Sequence, residues 1–69
     1  MVRKSLEHQL GAFLRQKRGN ATYAQFARKL GVSESTLFRL EQGEQNATLK
    51  MLQNLMDRLH CSIGDIFRS

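Results

Sequence analysis

The chain has 69 residues, and eleven Lys/Arg against six Asp/Glu give a net charge of +5. Apolar residues make up 41% and charged residues 25%, which fits a small globular unit and excludes a disordered polar chain. That length leaves no room for an enzyme of ordinary size or an added sensor or cofactor domain, and no apolar run nears the roughly 20 residues that span a bilayer. One cysteine, Cys61, excludes an intramolecular disulfide framework and is compatible with a reducing cytoplasm. The basic side chains are concentrated early: residues 1–29 hold Arg3, Lys4, Arg15, Lys17, Arg18, Arg28 and Lys29 against Glu7 alone. A basic half of this kind points to a polyanionic partner.

Strand signals are nearly absent, and apolar residues recur at helical spacing throughout. After a short N-terminal arm, residues 1–4, Ser5 caps a first helix with an apolar face of Leu6, Leu10, Phe13 and Leu14. Its last turn carries Arg15, Lys17 and Arg18, where cations suit the helix dipole, and Gly19 and Asn20 stop it. Thr22 and Gln25 form a T-x-x-Q capping box before a second helix over about 23–30, with Phe26, Ala27 and Leu30 inward. Gly31 sits where a left-handed residue is needed, and Ser33 caps a third helix of about 34–42 that buries Leu37 and Leu40. Gly43 ends it, and residues 44–47 form a polar loop. Thr48 caps a fourth helix marked by Leu49, Leu52, Leu55, Met56 and Leu59. Ser62 with Asp65 resembles another capping box, before a short fifth helix carrying Ile63, Ile66 and Phe67. Five short helices with short loops predict one compact all-α domain over 1–69.

The informative segment is 22–43, T-Y-A-Q-F-A-R-K-L-G-V-S-E-S-T-L-F-R-L-E-Q-G. Two short helices separated by Gly31-Val32-Ser33 form a helix-turn-helix pattern. Ala27 is small where the helices cross, Gly31 carries the sharp turn, and Val32, Leu37 and Leu40 anchor the third helix to the second. The other face of the third helix, with Glu34, Ser35, Phe38, Arg39 and Gln42, is then left exposed, with Thr36 at its edge. These residues, with L-R-Q-K-R at 14–18, A-Q-F-A-R-K-L-G-V-S at 24–33, S-T-L-F-R-L-E-Q-G at 35–43 and the Leu pattern of 49–56, closely resemble the phage Cro/repressor-like (Xre-type) helix-turn-helix family. The resemblance covers about residues 9–67.

It implies a five-helix lambda-repressor-like domain that binds operator DNA as a transcriptional regulator, with the third helix in the major groove. Carried over by position, Ser33, Glu34, Ser35, Thr36, Phe38 and Arg39 are the base readers. Arg39 is the foremost, since a guanidinium can bond guanine through two donors. Phe38 stands where many relatives have a small polar residue; it can meet thymine methyls, pack on Tyr23 or face a partner protein. Arg15, Lys17, Arg18, Thr22, Tyr23, Gln45 and Asn46 are the phosphate contacts, with the amino end of the second helix aimed at a phosphate. The chain departs from its relatives at Tyr23, where they have glutamine, and at Glu44–Ala47, where they carry basic residues and proline. The family's glutamate–arginine pair maps to Glu41 with Arg18, or with Arg15.

Plainer readings stand beside these. Arg28 and Lys29 read as a solvated face, Cys61 as a small core residue, and Met51 and Met56 as core fillers. His60, Cys61 and the distant His8 make no zinc site. No catalytic triad, phosphate loop or carboxylate pair stands out, so the reading is of a non-enzyme without metal or cofactor. A homodimer through Ile63, Ile66 and Phe67 places two recognition helices on one operator. The alternative is an antitoxin-type or other protein-interaction module, meeting a toxin through the arm or Phe38, with DNA binding secondary or lost.

Overall fold

The computed structural model describes residues 5–44 and 47–67. The arm 1–4, Gln45, Asn46 and residues 68–69 lie outside them, as do the phosphate roles assigned to Gln45 and Asn46. Among the described residues there are five helices and no strand: α1 (Leu6–Arg18), α2 (Tyr23–Leu30), α3 (Glu34–Glu41), α4 (Leu49–Leu59) and α5 (Ile63–Ile66). The fold is all-α.

Local hydrogen bonds set most of the boundaries. Ser5, Thr22, Ser33 and Thr48 each accept, through the side-chain oxygen, from the backbone amide three residues on. Gln25 completes the box by accepting from Thr22 N at 3.1 Å. At α5 the bonding is different: the Asp65 carboxylate accepts from both Ser62 N and Ser62 Oγ. Gly31, at φ 73°, closes α2 in a Schellman motif, with Val32 N donating to Ala27 O and Gly31 N to Arg28 O. Gly43 repeats this after α3, which stops at Glu41 with Gln42 as its cap.

One apolar cluster joins the helices: Leu10 and Leu14 of α1, Phe26, Ala27 and Leu30 of α2, Leu37 and Leu40 of α3, Leu52 and Leu55 of α4, and Ile66 of α5. α1 packs on α3, α3 on α2, α2 on α4 and α5 on α1. Phe13, Val32, Met51, Met56, Leu59, Cys61 and Phe67 pack partly buried around the cluster.

Three expectations are corrected. Leu6 and Leu49 do not belong to the buried stripes of α1 and α4; they are 62% and 84% exposed. Both are the first residues of their helices. Ile66 cannot serve a dimer surface, because its side chain is only 5% exposed in the chain's own core. Of the three residues assigned to dimer contact, Ile63 is exposed and Phe67 partly so.

Candidate nucleic-acid interface

The position of α3 is set from two sides. Leu37 and Leu40 are completely buried between it and its neighbours. On the α1 side, Gly11 lets the backbones approach closely: a Cβ there would lie 2.6 Å from Leu40 O and 2.8 Å from Glu41 O. No side chain fits at this position of α1 without a shift of the α3 backbone.

The charges at this junction then lock it. The buried Glu41 carboxylate takes two bonds from one guanidinium, from Arg18 Nε at 2.8 Å and Arg18 Nη2 at 3.1 Å. Arg15 donates instead to the main-chain carbonyl of Glu41, at 2.7 Å. A cation there also suits the negative end of the α3 dipole. The hydrogen bond to the Glu41 carboxylate raises the Arg18 guanidinium above its ordinary value. Arg18 Nη1 further donates to Ala21 O at 3.2 Å, and Arg18 Cζ lies over the Tyr23 ring, 4.2 Å from its centre. Arg18 therefore ties α1, the α1–α2 link, α2 and α3 together.

With its inner face held, α3 presents Glu34, Ser35, Phe38 and Arg39 to solvent. These four, with Tyr23 and Glu44, line a single shallow depression. The Tyr23 ring meets Phe38 edge to face, centroids 5.9 Å apart. Ser33 and Thr36 flank the depression but bond to each other: Ser33 Oγ accepts from Thr36 N and donates to Thr36 Oγ1 at 2.9 Å. Of the pair, the Thr36 hydroxyl proton remains to donate outward. Thr22 Oγ1 accepts from Gln25 N, while the amide of Tyr23, first in its helix, has no intrahelical acceptor. Lys17 is exposed, its Nζ 5.5 Å from the Phe13 ring centre.

A family model described as a helix-turn-helix domain matches residues 9–65. The chain belongs to the helix-turn-helix domain family. No curated protein and no solved structure matches it significantly. Within this helix-turn-helix domain the structure brings Tyr23, Glu34, Ser35, Phe38 and Arg39 onto one face and turns Arg15 and Arg18 toward Glu41. Arg28 and Lys29 are exposed late in α2. Burial, and then the Asp65 carboxylate, push the Cys61 thiol up. Among the described residues no helix is long and apolar enough to cross a membrane, and no group of His, Cys, Asp or Glu could hold a metal ion.

Several positioning residues escaped the sequence reading. Gly11 had a signal, a glycine inside a helical pattern. Two side chains of α4 bond the last carbonyls of α2, Asn54 to Leu30 O at 3.3 Å and Arg58 to Lys29 O at 3.3 Å. They orient α2 from behind, and nothing in local spacing marks them.

Proposed function

We propose that this helix-turn-helix domain is a sequence-specific, double-stranded DNA-binding transcriptional regulator of the Cro/repressor-like type. α3 enters the major groove, and the amide end of α2 with Thr22 and Tyr23 meets a phosphate. One observation carries the reading: α3 is held on its inner side by Leu37, Leu40 and the Glu41–Arg18 pair, and turns Glu34, Ser35, Phe38 and Arg39 outward together. A rigid helix with an exposed polar face beside a free helix amino end is what groove docking requires. Arg39 is exposed on this face and is assigned to a guanine, and Arg15 and Lys17 supply charge at the flank. Two copies paired through Ile63 and the exposed part of Phe67 place their recognition helices about 34–36 Å apart on a pseudo-palindromic site. The site of action is the cytoplasm, and no catalysis is assigned.

A protein partner on the same face, as in an antitoxin-type module, is favoured by the exposure of Phe38 and by Glu34 and Glu44, which repel phosphate. Selection of duplexes from random sequence separates the two. The regulator enriches a shared half-site, and its log K falls with log salt at about −0.9 per phosphate neutralised. Arg39→Ala then loses about 1–3 kcal/mol at one guanine and relaxes selectivity there. No enrichment, with Arg39→Ala indifferent, supports the protein-partner reading instead.

A further inference from the structure

We infer that Phe38 reads the C5-methyl group of a pyrimidine in the major groove, with Tyr23 holding its ring in position. The inference rests on the proposed docking of α3 and adds the base feature that this face selects.

Phe38 is 49% exposed in the depression it shares with Arg39. Its ring has no donor or acceptor, so it offers nothing to a phosphate or to a hydrogen-bonding base edge. The apolar group that a base displays in the major groove is the C5-methyl of thymine, and 5-methylcytosine carries the same group. Two carboxylates, Glu34 and Glu44, line the same depression and disfavour a phosphate there.

The ring is also positioned in advance. Tyr23 abuts it edge to face at an interplanar angle of 64°, and the Arg18 guanidinium covers the Tyr23 ring. Arg18 is fixed by the buried carboxylate of Glu41. A line of four side chains thus runs from the core to the surface and ends at Phe38. A ring held this way loses little freedom when it meets a base, which favours a contact as small as one methyl.

The test uses the intact chain and the duplex it selects from random sequence. Each thymine is replaced in turn by uracil, which lacks only the methyl. At one position per bound copy, uracil is expected to weaken binding about fourfold, the ratio for one buried methyl at about 0.8 kcal/mol. Cytosine against 5-methylcytosine at that position is expected to show the same ratio, and the tighter of the thymine and 5-methylcytosine duplexes names the natural source. In Phe38→Ser the ratio falls to one. Tyr23→Phe keeps it, and Tyr23→Ala lowers it while helix content is unchanged. Equal binding of uracil and thymine at every position, with a sequence still selected, overturns the methyl reading alone. An unchanged ratio in Tyr23→Ala overturns the role of Tyr23. Selection of no sequence at all removes the docking of α3 and this inference with it.

Discussion

Single residues at the junction of α1 and α3 decide how the outward face is aimed. Gly11 is the sharpest case. Alanine in its place gains about 1 kcal/mol of helix propensity. It also drives a Cβ to 2.6 Å and 2.8 Å from two backbone carbonyls, which cannot rotate away as a side chain would. Overpacking of this kind costs about 1–3 kcal/mol, more where backbone must shift. Gly11→Ala is therefore expected to destabilise by up to about 2 kcal/mol net, read as a lower urea midpoint at unchanged slope. Glu41 and Arg18 make a second residue-scale test. Removing one partner strands a buried charge, whereas replacing both with apolar groups of similar volume does not. Arg18→Met, which strands the buried Glu41 carboxylate, is expected to lower the melting temperature more than the double change does. Additive losses would mean the two residues act separately.

At the scale of the element, helix ends were legible and helix-to-helix contacts were not. Ser5, Thr22, Ser33 and Thr48 mark caps because each bonds an amide three residues away, inside the window that sequence spacing covers. Gly31 and Gly43 mark turns because left-handed backbone favours glycine. The grip of Asn54 and Arg58 on the end of α2 spans 24 and 29 residues of chain, and no local pattern encodes it. Periodicity also placed Leu6 and Leu49 inside, because it states which face a residue shares and not how far along the helix a neighbour reaches. One helix end departs from the pattern. His60 closes α4 in the left-handed region at φ 54°, where a non-glycine residue costs about 1–2 kcal/mol. Glycine relieves that cost and returns about 0.4–1 kcal/mol as freedom of the unfolded chain. His60→Gly is expected to stabilise by about 0.5–1 kcal/mol, raising the melting temperature by a few degrees.

For the whole molecule, the five helices serve to hold one short helix by its inner side. α1 grips the carboxyl end of α3 through Gly11, Arg15 and Arg18, α2 backs it, and α4 backs α2. The helix-turn-helix architecture was legible because capping boxes, glycines and apolar stripes agreed in register. The side-chain order of the site was less so: the Arg18 guanidinium lies over the Tyr23 ring, and the hydroxyls of Ser33 and Thr36 bond to each other. In the proposed docking, α3 lies in a major groove with Arg39 on a guanine. Methylation interference on the selected duplex tests it most directly, since dimethyl sulfate marks guanine N7 in the major groove and adenine N3 in the minor groove. With α3 docked as proposed, N7 methylation of one guanine per half-site blocks the wild-type chain and no longer discriminates in Arg39→Ala. Interference confined to adenine N3, or a guanine pattern identical in the two proteins, would contradict it.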